Sequence, residues 1–399
     1  MSPVILVLNA GSSSLKFKLF AYPDLSLEAY GNVSEIGTDE SQFEGTVTKN
    51  DHKTEKQEKI NDHRQAVKYI LQLITEQDIC KTTDIKYVGH RIVHGGEHRA
   101  PAKITREELE QLDKLNDLAP LHNSRAVNVI RLVLEELPDS ENVACFDTMY
   151  HRTIPEYIYT YPVPKEAAKS KKIRKYGFHG LSHSHVAEQA AKSLNRPLQE
   201  TKLISLHLGS GSSVCAILHG ESLDTSMGLT PLSGLPGGTR SGDIDPSAIF
   251  HFIPNPQHME KEELSRAEKV LNKESGIAAI CGTSNLSEIA KRTDSDARLA
   301  LDLFVNRIQN FIGAYFVALQ GVDAIIFTGG IGENSDIVRA KVTERLNCLG
   351  CKIDSEKNKF NSDQLKSGPV DISGPDSMVK VLVVATNEEY QVATAIVSA

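Results

Sequence analysis

Nowhere in this chain of 399 residues do about 18 apolar residues run together, so the sequence predicts no transmembrane helix. The opening stretch, MSPVILVLNAGSSS, has no basic segment ahead of its apolar run, and it reads as a strand instead of a secretory signal. Lysine and arginine form no long block and the formal charge is −8 at pH 7, which argues against a nucleic-acid surface. An anionic substrate must therefore be held by a few local cations. Cysteine is sparse: Cys80, Cys145, Cys215, Cys281, Cys348 and Cys351. Five are scattered through apolar or mixed stretches, as the buried thiols of a reduced, intracellular protein would be. The lone CLGC pair has no second pair or nearby histidine, and a structural zinc site needs more ligands than that. Several motifs are missing too. No GxxxxGK[ST] occurs, which excludes a P-loop, and GSGSSV lacks the third glycine of a dinucleotide fingerprint. Neither HRD nor DFG is present, so a protein kinase is not expected.

What is present comes twice. LNAGSSSLKFKLF and LHLGSGSSVCAIL each read as a strand end, a turn of Gly and Ser, and a second strand. A third Gly-rich turn, TGGIGENS, follows the apolar run DAIIF. Glycine lets main-chain N–H groups approach a ligand closely, and three such turns after strands favour phosphate binding over tight turns alone. Apolar periodicity places Val67, Ile70, Leu71 and Ile74 on one helical face, and Ala126, Ile130, Val133 and Leu137 on another. A long helix carrying Phe304, Ile308, Phe311, Tyr315 and Leu319 is expected to end at Gly321 as its C′ glycine. Strands alternating with helices indicate an α/β protein. The repeated hairpin suggests two related domains with a ligand cleft between them, the duplicated architecture of actin, hexokinase and Hsp70. The boundaries are placed at 1–149 plus 386–399 for an N-terminal domain and 150–385 for a C-terminal, nucleotide-binding one.

Charged and polar residues between the turns sharpen the reading. GHRIVHGG supplies Arg91, PLHNS supplies His122, FDTMYH supplies Asp147, YGFHGLSHSH supplies His179 and His183, and GTRSGDIDP supplies Arg240. Arginine in a Gly-rich turn is suited to gripping carboxylate or phosphate oxygens in bidentate fashion. The HxxxH spacing of His179 and His183 lacks the glutamate of HExxH, so hydrogen bonding to a phosphoryl group is favoured over zinc. In TNEE, Thr386 with Glu389 reads as a capping box, which leaves Glu388 available beside a metal ion.

Taken in order, LVLNAGSSSLKF, GHRIVHGG, APLHNSRA, FDTMYH, KYGFHGLSHSHV, HLGSGSS, TPLSGLPGGTRSGDIDP, FTGGIGENS and TNEE resemble the acetate kinase (acetokinase) family across the whole chain. The resemblance implies phosphoryl transfer between ATP and acetate with Mg²⁺, giving ADP and acetyl phosphate, and a cytoplasmic homodimer that binds neither nucleic acid nor membrane. It assigns Asn9 and Glu388 to Mg²⁺, and Ser12, Ser14 and Lys16 to the first phosphate-facing turn. Arg91 and Arg240 fall on the arginines that hold the carboxylate and the transferring phosphoryl, and His179 on the histidine that supports the transition state. His122 and His207 match neighbouring histidines, and Asp147 the active-site aspartate. Val93, Leu121, Phe178 and Pro231 match the apolar pocket for the methyl group. Leu208, Gly209, Ser210 and Gly211 match the nucleotide-side turn of the second hairpin; Gly330, Ile331, Gly332, Glu333 and Asn334 match the adenosine-side turn. Acetate is already ionised at pH 7, so Asp147 is expected to orient an arginine or a Mg²⁺-bound water, with no general base required. The chain departs from the family where Ser210 replaces the Asn of HLGNG and where Ser287 stands about where an Arg would fall. These two positions leave GTP or pyrophosphate open as donors. Propionate remains an alternative acceptor, and a non-catalytic actin-like scaffold the alternative from another class.

Overall fold

The structure, a computed structural model, describes residues 3–11, 13–48, 52–115, 123–253 and 261–398, the side chains of 261–264 excepted. The chain divides into two compact units, Met1–Met149 with Asn387–Ala399, and Tyr150–Thr386.

Among the described residues, the first unit carries β1 (Val4–Ala10), β2 (Leu15–Ala21), β3 (Leu27–Ser34), β4 (Gln42–Val47), β5 (His52–Gln57), β6 (Ile85–Ile92), β7 (Ala102–Lys103) and β8 (Glu141–Phe146). They form one mixed sheet in the order β5-β4-β3-β2-β1-β6-β8-β7. β1 and β2 are the first hairpin, with Asn9 opposite Lys16, and β1, β6 and β8 run parallel. The second unit carries β9 (Lys202–His207), β10 (Ser213–Leu218), β11 (Glu221–Thr225), β12 (Ala324–Thr328), β13 (Val370–Asp371) and β14 (Lys380–Val383), in the order β11-β10-β9-β12-β14-β13. β9 and β10 are the second hairpin, with His207 opposite Ser213, and β9, β12 and β14 run parallel. One strand order is thus built twice, β3-β2-β1-β6-β8 and β11-β10-β9-β12-β14.

Burial explains the strands. The first five residues of β1 and every residue of β12 are buried, as befits parallel strands covered on both faces. β2 alternates, with Leu15, Phe17 and Leu19 in the core and Lys16 and Lys18 on the other face. The helix His63–Glu76 starts where Asp62 accepts a hydrogen bond from the Gln65 N–H (2.9 Å), and it buries Val67, Ile70, Leu71 and Ile74 as the periodicity predicts. The helix Asn123–Glu136 buries Ala126, Ile130 and Val133. The long helix Ser295–Ala318 places Phe304, Ile308 and Tyr315 in the core of the second unit.

Three local expectations are corrected. The long helix does not use Gly321 as C′: Gln320 takes that left-handed position (φ +54°), and Gly321 follows it. Gln320 N–H donates to Val317 O and Gly321 N–H to Phe316 O, both at 3.0 Å, the bond pair of a Schellman end. TGGIGENS is no mere turn, because Gly329–Asn334 form a short helix directly after β12. Thr386 does not cap the last helix, Glu388–Val397. Asn387 does, its side chain accepting from the Tyr390 N–H (3.2 Å), which releases Thr386 for the contacts described below. Cys80, Cys145, Cys215, Cys281 and Cys351 are buried free thiols and Cys348 is exposed. Among the described residues, no helix is long and apolar enough to cross a membrane.

Candidate active site

Parallel strands bring the candidate residues of the first unit to the carboxyl ends of neighbouring interior strands: Asn9 on β1, Arg91 on β6, and Asp147 just past β8. Arg91 is the hub. Its Nε and Nη2 donate to the two Asp147 oxygens at 3.0 and 2.7 Å, a bidentate clasp on an aspartate only 1% exposed. Nη1 reaches Glu388 Oε2 at 2.7 Å and Asn9 Oδ1 at 3.4 Å, so one N–H on Nη2 remains for a ligand. Burial works against the Arg91 charge, but Asp147 and Glu388 outweigh it and hold the guanidinium more firmly protonated than usual. Burial, with Asp147 and Glu389 nearby, pushes the Glu388 carboxyl up to about 7 despite the pull of Arg91. Glu389 moves down. Burial opposes that shift, and Lys18 (3.3 Å) and the Asn9 amide (3.0 Å) overcome it. Lys18 also donates to Asn387 Oδ1 at 2.6 Å, tying β2 to the start of the last helix.

The loop after β6 is pinned in place. Asn123 accepts from His94 N–H (3.0 Å) and donates to His94 O (2.8 Å), and Gly95 N–H donates to Thr148 Oγ1 (3.0 Å). A Cβ on Gly95 would lie 2.5 Å from the Phe146 ring, so glycine is what lets this loop close, with Val93 half-buried within it. At the first hairpin turn, Gly11 N–H donates to Ser14 O at 2.8 Å, and Lys16 is exposed.

In the second unit, histidines and serines interlock. His179 precedes the helix Gly180–Ser193 in the left-handed conformation (φ +57°), and its ring stacks on His207 with centroids 4.1 Å apart. Ser213 Oγ lies 2.9 Å from His179 Nδ1 and 2.8 Å from His183 Nε2, and His183 Nδ1 lies 2.9 Å from Ser205 Oγ. Burial, with His151 and His207 close by, pulls the His183 pKa well below the usual histidine value and keeps it neutral. Both its ring nitrogens engage serines, and among the described residues no metal-binding group of three or more side chains forms. The buried Phe178 precedes His179, and its carbonyl accepts from His151 Nε2 at 2.9 Å. Thr386 Oγ1 donates to Ser182 Oγ (2.8 Å), which lies 2.7 Å from His207 Nδ1.

Arg240 is the counterpart of Arg91 with the opposite surroundings. Its Nη1 donates to Pro231 O at 3.1 Å, and among the described residues no carboxylate pairs with it. Burial alone lowers its pKa. A half-buried positive charge without a counter-ion among the described residues favours an anion beside it. Gly211 makes room for it, since a Cβ there would lie 2.3 Å from Arg240 Nη2 and 3.6 Å from the His179 ring. Ser210 is exposed, and its carbonyl accepts from Gly238 N–H at 2.9 Å, so the main chain of this turn is held whatever the side chain. Gly209 is closed by Ser212, whose Oγ donates to Gly209 O (3.0 Å). Leu208 has its side chain in the core, and its carbonyl accepts from Ile331 N–H (2.8 Å) and Gly332 N–H (3.3 Å). Glu333 Oε1 accepts from Gly329 N–H (2.9 Å) and Thr386 N–H (3.0 Å), and Asn334 donates to Gly330 O (2.9 Å). Burial raises the Glu333 pKa against those bonds.

The structure therefore gathers Asn9, Arg91, Asp147 and Glu388 in the first unit. It gathers Phe178, His179, His207, Gly211, Pro231 and Arg240 in the second. Ser12, Leu121 and His122 lie outside the described residues. Sequence reading missed Lys18, Glu389, Ser182, Ser205 and Ser213. Period-two alternation held the signal for three of them: Lys18 shares a face with Lys16, Ser205 shares one with His207, and Ser213 sits opposite His207.

Comparison with known proteins bears on what this geometry serves. A family model described as "Acetokinase family" matches residues 4–394. An acetate kinase of Bacillus cytotoxicus is 45% identical, covering 98% of this chain and 98% of its own. The crystal structure of Porphyromonas gingivalis acetate kinase superposes with a TM-score of 0.86 at 34% identity, covering 100% of both chains. A propionate kinase from Francisella tularensis superposes with a TM-score of 0.89 at 37% identity, covering 99% of both chains.

Proposed function

The chain belongs to the acetokinase family, and from that premise we propose that it transfers the γ-phosphoryl group of ATP to a carboxylate oxygen of acetate, reversibly. The enzyme is a phosphotransferase with a carboxyl acceptor. A P–O bond forms to the acetate oxygen as the bond between the γ-phosphorus and the β,γ-bridging oxygen breaks, and ADP leaves with that oxygen. The observation that carries the reading is Arg240, a half-buried cation whose charge no acid among the described residues neutralises. Such a group is satisfied by an anionic ligand.

Acetate needs no base, so the transfer depends on positioning and on charge stabilisation. Asp147 and Glu388 fix the Arg91 guanidinium, leaving one Nη2 hydrogen for a carboxylate oxygen. Asp147 thus works on Arg91, as an orienting group. Arg240 and His179, brought against the same turn by Gly211, serve the transferring phosphoryl oxygens. In the second unit, Phe178 and Pro231 are the residues the resemblance assigns to the methyl group. The turn of the second hairpin and the short helix Gly329–Asn334 take the nucleotide. Asn9 and Glu388 offer oxygen donors only, the set Mg²⁺ prefers, and three carboxylates there face Arg91 and Lys18. Held by Asn9 and Glu388, Mg²⁺ would supply positive charge to the phosphate oxygens. The family also supports a cytoplasmic homodimer, which sedimentation would test.

A second acceptor is favoured by the likeness to a propionate kinase, because one methylene in an apolar pocket shifts discrimination by only about 1–3 kcal/mol. The deciding assay traps acyl phosphate as the hydroxamate, with acetate or propionate, Mg²⁺, and ATP, GTP or pyrophosphate. Acetyl hydroxamate with ATP is expected. Product from pyrophosphate alone would overturn the nucleotide assignment, and no product from any pair would overturn the function.

A further inference from the structure

We infer that Ser205, His183 and Ser213 form a one-way hydrogen-bond relay that holds His179 as a neutral imidazole with its hydrogen on Nε2. They are positioning residues, and their catalytic consequence rests on the phosphoryl-transfer reading above. The direction follows from counting hydrogens. Ser205 is fully buried on β9, and its hydroxyl has one described partner, His183 Nδ1 at 2.9 Å. If His183 donated from Nδ1, the single Ser205 hydrogen would be buried with no acceptor, a costly arrangement. Ser205 therefore donates, and Nδ1 of His183 is a lone pair.

A neutral His183 then carries its hydrogen on Nε2, which donates to Ser213 Oγ at 2.8 Å. Burial and the flanking histidines keep it neutral. Ser213 is also fully buried, and its own hydrogen has one acceptor left, His179 Nδ1 at 2.9 Å. Accepting there requires a lone pair, so His179 is not an imidazolium and its hydrogen sits on Nε2. The ring is further fixed by the left-handed backbone at His179 and the stack on His207. A donor held in one tautomer costs no reorganisation when charge develops on the phosphoryl oxygens.

The test is direct observation of the tautomer. In ¹⁵N-histidine-labelled protein at pH 7.5, long-range ¹H–¹⁵N spectra distinguish Nδ1–H from Nε2–H, with assignments from single histidine substitutions. His179 and His183 are both expected as Nε2–H forms, and a His179 hydrogen on Nδ1, or an imidazolium, would overturn the relay. Ser213→Ala is expected to populate both His179 tautomers and to lower kcat about tenfold, the worth of roughly one hydrogen bond. KM for acetate and ATP should stay within about twofold, and Ser213→Thr should restore both tautomer and rate. A Ser213→Ala enzyme with unchanged tautomer and kcat would refute the positioning role. Should that variant not fold, the wild-type spectrum still decides. Wild-type protein that makes no acyl phosphate but shows Nε2–H at His179 would sink the function and leave the relay standing.

Discussion

Arg91 and Arg240 carry the same charge in opposite surroundings, and their removal should separate folding from catalysis. Arg91→Ala strands the buried Asp147 and the half-buried Glu388, two carboxylates that the guanidinium holds. Breaking a buried pair from one side costs about 3–5 kcal/mol, so this variant should lose much of its stability in urea titration as well as its activity. Arg240→Ala strands only the Pro231 carbonyl. It should remain within about 1 kcal/mol of the wild type while kcat falls by a factor on the order of 10³, as for a transition-state arginine. Near-normal turnover by Arg240→Ala would remove it from the phosphoryl site. An Arg91→Ala protein as stable as the wild type would show that the clasp on Asp147 does not support the fold.

Two glycines that each follow a strand, Gly211 in a hairpin turn and Gly329 at the start of a short helix, should behave in contrary ways. A Cβ at Gly211 would meet the far end of the Arg240 side chain at 2.3 Å, and that side chain can swing aside. A Cβ at Gly329 would meet the Leu208 carbonyl at 2.7 Å from a backbone at φ +76°, where nothing yields. Gly211→Ala should therefore keep its melting temperature and lose turnover, and Gly329→Ala should lose about 1–3 kcal/mol of stability. Equal melting temperatures for the two would contradict this account. The hairpin turn at Gly211 was legible in the sequence, because glycine and serine after an apolar run state their purpose locally, whereas the turn read at Gly329 is the start of a short helix. The doubled hairpin announced the doubled strand order in the same way. What a local pattern cannot show is a partner far along the chain. Ser205 looks like any polar residue in a strand until the helix Gly180–Ser193 sets His183 beside it. Thr386 reads as a cap from its neighbours, yet its hydroxyl goes to Ser182 and its N–H to Glu333. Asn387 took the cap because its side chain meets the Tyr390 N–H.

Both units hide histidines whose ionisation the fold forbids, and this should make the protein acid-labile in a defined window. In the first unit, burial lowers His90 to about 4, against the help of its 2.8 Å bond to Asn142, and lowers His94 to about 4. In the second, His183 lies well below its ordinary value. From an unfolded pKa near 6.5, the unfolded chain binds protons that the native state refuses. Stability is then full above about pH 6.5 and drains away as the pH falls toward about 4. At about 1.4 kcal/mol per unit, His90 and His94 each contribute roughly 3 kcal/mol, a large share of the 5–15 kcal/mol that holds a typical domain. Glu388 acts in the other sense. Raised from 4.5 to about 7, its contribution is full below about pH 4.5 and lost as the pH rises through about 7. One such group offsets only part of the loss from three histidines. With no tryptophan in the chain, far-ultraviolet circular dichroism is the suitable probe. The urea midpoint should fall between pH 7 and pH 5, and His90→Gln, which keeps a donor for Asn142 without a titrating ring, should flatten that fall. A wild-type midpoint that stays level across this window would mean that these rings ionise freely inside the fold, and the burial described for them would be wrong.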